Sequence, residues 1–326
     1  MSRSACSKKI PVLVIFAPTA CGKTAAVSRL FSDNSSSPFS QKAEIINADS
    51  MQVYKGLNIG TAKPDPSFLS HLPHHLIDIV SPKEQFGTGE FVRLADAAAE
   101  DIYSRGKLPV VCGGTAFYIR NFLYGLPVTP EADPLIRKNL QARLAAEGGE
   151  ALRRELEGID PESASKINQN DDYRVVRALE VYYSSGKPLS FYELPSTFRS
   201  GYSFCILNLE RPREELYERI NKRVELMFSQ GLVDEVKNLL ASGVSPSDPG
   251  MQAIGYREFF MSGSGFPHSY TEADIEYFNR LIQRDSRHYA KRQLTFFKPI
   301  KEAVCIPADS FNSMEDKIGQ FFNQFT

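Results

Sequence analysis

The chain has 326 residues, 42% hydrophobic and 24% charged, with a formal net charge of -1. This suits a globular protein with one large core and room for an appended or inserted domain. It excludes a uniformly basic nucleic-acid binder, though not a local basic patch, and no apolar stretch reaches the ~20 residues of a membrane-spanning helix. Cys6, Cys21, Cys112, Cys205 and Cys305 are widely spaced without a CxxC pair, so neither a disulfide framework nor a zinc ribbon is expected, and a reducing cytoplasm is.

Residues 12–16 (VLVIF) form an apolar run that predicts a buried parallel strand, and residues 23–31 predict a helix. Between them lies APTACGKT: Ala17, Pro18, Thr19, Ala20, Cys21, Gly22, Lys23 and Thr24. A tight strand-to-helix loop aims backbone N–H groups at one spot, and the helix dipole adds positive potential, so phosphate oxygens fit there. Lys23 supplies a flexible charge and Thr24 a hydroxyl suited to Mg2+. The usual pattern begins with Gly; Ala17 in that place implies that negative φ is tolerated at this end of the loop. Arg3, Lys8 and Lys9 precede the apolar run, but it leads straight into this loop, so a cleaved signal is not expected.

Residues 32–40 read as a Ser-rich surface loop, and residues 44–48 (EIINA) as a second strand ending at Asp49 and Ser50. That end is the edge where open α/β sheets bind ligands, which points Asp49 at the phosphate loop; the alternative is an N-cap for a following turn. Residues 50–64 look like a shaped loop. His71, His74 and His75 lie close together without a metal-binding frame, so capping or packing roles are expected. Residues 91–105 predict an amphipathic helix, and 108–112 a third strand ending in Gly113, Gly114 and Thr115 rather than in an Asp; Thr115 suits a helix cap.

The character changes over residues 127–199, which read as a helical insertion dividing an α/β core into 1–126 and 200–326. Within it, NDDYRVVRALE sets Arg174 and Arg177 on one face, as a binding surface or as a solvated face paired with Asp171. Strand character returns at 202–209, and a long helix over 213–230 carries Arg219, Lys222 and Arg223. Between Arg280 and Lys298 there are six basic residues against one acid, Asp285, and Arg280, Arg284, Arg287 and Lys291 recur at helical spacing. Such an excess argues against internal pairing and for a polyanion partner.

These pieces resemble the bacterial tRNA dimethylallyltransferases, also called tRNA isopentenyltransferases. The resemblance runs through APTACGKT, DSMQVYKGLNIGTAKP, PHHLIDI, CGGTAFYIRNF, NDDYRVVRALE, RINKRVELMFSQGLVDEV, MQAIGYRE and YAKRQLTFF, in the family's order along nearly the whole chain. Ala17 departs from the family's loop Gly, and Phe296 stands where the family often has Trp. The chain stops soon after the last segment, so the bacterial form without a zinc-finger tail is expected.

The resemblance implies a P-loop NTPase-like core with a parallel sheet, an inserted all-helical domain on the tRNA anticodon arm, and a cytoplasmic, monomeric enzyme. It implies transfer of a dimethylallyl group from dimethylallyl diphosphate to N6 of adenosine 37 of tRNA, with Mg2+. Asp49 is then the base for the adenine amine, while the loop amides from Thr19 to Thr24, Lys23, Thr24 and Arg223 receive the diphosphate. Asp49, Ser50, Met51 and Gln52 are expected at the adenosine. Thr115, Arg137, Tyr173, Arg174 and Arg177, then Gln252, Gly255, Tyr256 and Arg257, then Lys291, Arg292 and Gln293, are expected at the tRNA. Two other readings remain open: an enzyme prenylating free adenine nucleotide, which needs neither insertion nor basic stripe, and a P-loop small-molecule kinase, which usually has an Asp ending a second core strand.

Overall fold

The computed structural model describes residues 9–130, 133–261 and 271–325; Arg3, Cys6 and Lys8 lie outside them. Among the described residues, six strands form one sheet: β1 (Ile10–Phe16), β2 (Ala43–Ala48), β3 (His74–His75), β4 (Leu108–Gly113), β5 (Tyr202–Glu210) and β6 (Val304–Pro307). Their order is β3-β2-β4-β1-β5-β6, and every ladder is parallel. β2 and β4 are buried at every position and β1 at all but its first, as in a parallel sheet covered on both faces. The α/β class and the parallel P-loop-like core expected from the sequence are therefore present.

The register explains why the site lies where it does. Phe16 faces Gly113 on one side and Asn208 on the other, and Ala48 also faces Gly113. The central strands thus end level, bringing Ala17, Asp49 and Gly114 to one edge, beside the strand where the chain's course across the sheet reverses. The approach of β2 to β4 requires Gly113, since a Cβ there would lie 2.1 Å from the Ala48 carbonyl oxygen. Gly113→Ala is expected to destabilise the protein by about 1–3 kcal/mol as the strands are forced apart; an unchanged thermal melt would contradict this.

The helices are α1 (Lys23–Phe31), α2 (Pro66–His71), α3 (Thr88–Ser104), α4 (Ala116–Tyr124), α5 (Pro134–Glu147), α6 (Gly149–Ile159), α7 (Pro161–Lys166), α8 (Asp172–Ser185), α9 (Arg213–Ser229), α10 (Leu232–Ala241), α11 (Glu272–Phe297) and α12 (Phe311–Phe322). α1 turns Ala26, Val27, Leu30 and Phe31 inward against Leu13, Ile15 and Ile45 of the sheet. No described helix is long and apolar enough to cross a membrane.

The chain divides into two compact units, Met1–Leu123 with Arg199–Thr326, and Tyr124–Phe198. The second unit has its own core, in which Leu140, Leu152, Leu156, Val175 and Leu179 meet. Asp133 caps α5 through the amides of Leu135 and Ile136, and Asp171 caps α8 through that of Arg174. Glu180 is fully buried and receives Arg137 and Arg177, each at 3.0 Å.

Candidate functional site

The loop from β1 to α1 is held open by its neighbours. Ala17 does not adopt positive φ, which explains why Ala is accepted there; the positive φ values fall at Ala20 (60°) and Gly22 (120°). Lys23 Nζ donates to the carbonyls of Ala17 (2.8 Å) and Pro18 (3.1 Å). Arg219 Nε donates to the Ala20 carbonyl (2.9 Å), and Arg211 Nε to that of Cys21 (3.0 Å). With these carbonyls taken, the first turn of α1 remains, and Gly22 gives it no side-chain cap. Its leading amides are therefore open to an anion.

This corrects part of the expectation. Thr19 N–H donates to Gln293 Oε1 (2.9 Å) and Cys21 N–H to the Pro18 carbonyl (3.3 Å), so neither amide is free. Pro18 has no N–H, and Ala17 and Pro18 act as acceptors for Lys23 rather than as phosphate donors. The amides of Gly22, Lys23 and Thr24 have no acceptor among the described residues.

Arg223 does not project into solvent as an ordinary face residue of α9. Its Nη1 donates to Thr19 Oγ1 (3.1 Å) and its Nη2 to the Thr61 carbonyl (3.3 Å). Burial lowers the pKa of both Arg223 and Lys23, and the Asp49 carboxylate opposes that shift in each. The three charges therefore share one local field.

Asp49 caps the turn that follows β2 and also lines a cavity. Its Oδ1 accepts the amides of Met51 (2.9 Å) and Gln52 (3.3 Å), a capping arrangement. Its Oδ2 has no hydrogen-bond partner among the described residues, and Asp49 lines a cavity of about 280 Å3 with Thr19, Ser50, Met51, Arg223, Gln252, Arg257, Tyr289 and Arg292. One oxygen thus fixes the carboxylate in place. Thr115, expected as a helix cap, instead accepts the Ser50 amide at its hydroxyl (2.9 Å) and so steadies the residue beside Asp49. Gln52 donates to the carbonyls of Thr61 (3.1 Å) and Ala62 (3.2 Å).

Several residues expected at the tRNA are placed otherwise. Gln293 is 3% exposed, with its Nε2 donating to the Gly114 carbonyl (2.6 Å) as its Oε1 accepts from Thr19. It is a strut under the loop, not a surface contact. Tyr256 is fully buried, and Gly255 is a buried backbone position at φ 102° whose N–H donates to Glu258. Arg177 is tied to Glu180 and the Pro130 carbonyl, and Arg174 pairs with Asp171 at 3.2 Å. Tyr173, by contrast, is 72% exposed.

The basic stripe on α11 is also more neutralised than its sequence implied. Arg280 pairs with Glu276 one turn earlier (2.7 Å) and Arg284 with Asp285 (2.8 Å), whereas Arg287 donates to the neutral Asn221 (2.6 Å) and keeps its net charge. Lys291 is exposed and forms no ion pair among the described residues, and Arg292 lies 5.9 Å from the Tyr289 ring centre. The histidines have separate partners: His71 with Asp33, His74 with the Leu72 carbonyl, His75 with Glu44. No three-ligand metal cluster occurs among the described residues.

A parallel sheet whose central strand runs through a Gly-Lys-Thr loop into a helix, with a carboxylate just after the next strand and an arginine reaching in from a later helix, defines a P-loop-type α/β protein. The chain belongs to the IPP transferase family, whose model matches residues 52–299. It is 42% identical over 316 residues to tRNA dimethylallyltransferase 2 of Geotalea uraniireducens, covering 96% of this chain and 98% of the relative. It is 40% identical over 319 residues to the tRNA dimethylallyltransferase of Geobacter sulfurreducens, covering 96% and 97%. Among solved structures it is similar to the tRNA isopentenylpyrophosphate transferase of Bacillus halodurans, with TM-score 0.66, 33% identity and coverage of 97% and 98%. It is also similar to a eukaryotic dimethylallyltransferase acting on tRNA, with TM-score 0.74, 26% identity and coverage of 95% and 77%.

Proposed function

We propose that the protein transfers a dimethylallyl group from dimethylallyl diphosphate to N6 of adenosine 37 in tRNA. The observation that carries this is that Asp49, with one carboxylate oxygen unengaged, lines the same cavity as Thr19 and Arg223. The exocyclic amine is a weak nucleophile because its lone pair is delocalised into the ring. As the N6–C bond forms and the allylic C–O bond breaks, Asp49 accepts the amine proton and diphosphate leaves with the bonding electrons. Lys23, Arg223 and the amides opening α1 stabilise the charge that accumulates on it, more in the transition state than in the ground state.

The donor set suits Mg2+. That ion keeps several waters and is held by one or two protein groups together with substrate phosphates; Thr24, the second residue of α1, would supply such a hydroxyl, from a cavity it lines with Asn58, Lys63 and Asp65 rather than the one lined by Asp49. When bound, it neutralises diphosphate charge. The protein acts as a cytoplasmic monomer, with the Tyr124–Phe198 unit engaging the anticodon stem-loop through the exposed Tyr173. A base must be splayed from that loop to be read and modified.

Incubation with labelled dimethylallyl diphosphate and tRNA, AMP or no acceptor tests the assignment. Label in tRNA alone is expected. Label in AMP alone would favour the free-nucleotide enzyme, and ATP consumption with a small alcohol the kinase, although β4 ends in glycines rather than an Asp. The surface charges give a separate test. Lys291→Ala is expected to weaken tRNA binding and reduce its log-log salt slope by about 1, whereas Arg284→Ala, whose charge Asp285 already offsets, should change the slope less. Equal slopes in wild type and the Lys291 variant would place that lysine outside the tRNA surface.

A further inference from the structure

The cavity that Asp49 lines is also walled by an irregular segment that contributes Gly60 and Thr61. It is held from behind by one carboxylate and one phenol. Glu235 of α10 accepts the amides of Asn58 (3.0 Å), Ile59 (2.9 Å) and Gly60 (3.2 Å). Tyr256 donates its hydroxyl to Glu235 (2.5 Å) and accepts the Gly60 amide (3.1 Å). A Cβ on Gly60 would lie 2.5 Å from the Tyr256 ring, so the segment has no slack toward it. The next residue faces the chemistry: the Thr61 carbonyl accepts Arg223 Nη2 at 3.3 Å and Gln52 Nε2 at 3.1 Å. Arg223 has no carboxylate ion pair among the described residues, and its recorded acceptors, Thr19 Oγ1 and the Thr61 carbonyl, are both neutral. Its aim therefore depends on where they are held.

We infer that Glu235 and Tyr256 are positioning residues for Arg223, fixing Asn58, Ile59 and Gly60 so that the Thr61 carbonyl turns the guanidinium toward the departing diphosphate. This rests on the proposed prenyl transfer. Tyr256 thereby serves the reaction from the core and not at the tRNA surface.

A double-mutant cycle separates this from a packing role. Tyr256→Phe keeps the ring and removes the hydroxyl; kcat with tRNA is expected to fall about 10-fold, as for a small misplacement of a transition-state contact, with KM for tRNA within about 2-fold. In an Arg223→Ala background the same change should cost nothing further, because the group it positions is gone. Losses that multiply would overturn the inference, since a purely structural hydroxyl acts independently of Arg223. Arg223→Ala with full activity would defeat the reading of Arg223 as a leaving-group contact, and the inference with it. Should Tyr256→Phe fold poorly, Glu235→Gln in the same cycle, with the same expectation of non-additivity, decides the matter.

Discussion

Asp49→Asn is expected to lower turnover by about 10^2 to 10^4, the usual contribution of a positioned general base, and to leave tRNA affinity unchanged. The geometry makes this a clean substitution. Oδ1 is already committed to the amides of Met51 and Gln52, and Asn places an equivalent oxygen there with comparable capping strength. What is lost is the second oxygen as a proton acceptor, since an amide nitrogen offers none. Single-turnover rates with saturating tRNA isolate the chemical step, and filter binding reports affinity. Turnover equal to wild type would remove Asp49 from the proton transfer and leave it only as the cap of its loop. A parallel loss of affinity would instead point to a role in holding the adenosine.

The sequence made the centre of the site readable because its pattern has few structural solutions. Apolar residues before a Gly-Lys-Thr loop require a buried strand, and the residues after it require a helix; both occur, with α1 at Lys23–Phe31 as expected. Asp49 was legible because β2 ends one residue before it. The two shortest strands, β3 and β6, carry two and four residues and too little periodicity to be seen. Roles settled by distant partners were also hidden. Gln293 sits in a run of exposed basic residues, yet it meets Thr19 from 274 positions away. Arg287 looked free of partners because its neutral acceptor, Asn221, belongs to another helix. Glu235 follows Asp234 at the start of α10, where acidic residues are favoured by the helix dipole, so nothing local marks it as the anchor of a segment 175 residues earlier. Motif spacing marks the groups proposed to do the chemistry. The groups that aim them emerge from tertiary contacts, which one chain's sequence does not encode locally.

Lys23→Met carries the other large effect: kcat/KM for dimethylallyl diphosphate is expected to fall by about 10^2 to 10^3, comparable to removing a preorganised donor from a developing anion, without loss of fold. The reason lies in what the folded state does to this ammonium. Burial lowers the pKa of Lys23 from its ordinary 10.5, so the free protein disfavours the charge that it keeps. The linkage has a definite sign. Below the depressed folded pKa the penalty is fully present, and it fades as pH rises toward the unfolded value of 10.5. Methionine spans a similar length and carries no such penalty, at the cost of the bonds to the Ala17 and Pro18 carbonyls. The variant should therefore melt no lower than wild type at neutral pH, and any advantage should shrink toward pH 10. Inorganic diphosphate should inhibit wild type and protect it against thermal unfolding, and do neither to the variant at the same concentration. A Met variant that still binds diphosphate as wild type does would show that the ammonium serves the loop's architecture, not the leaving group.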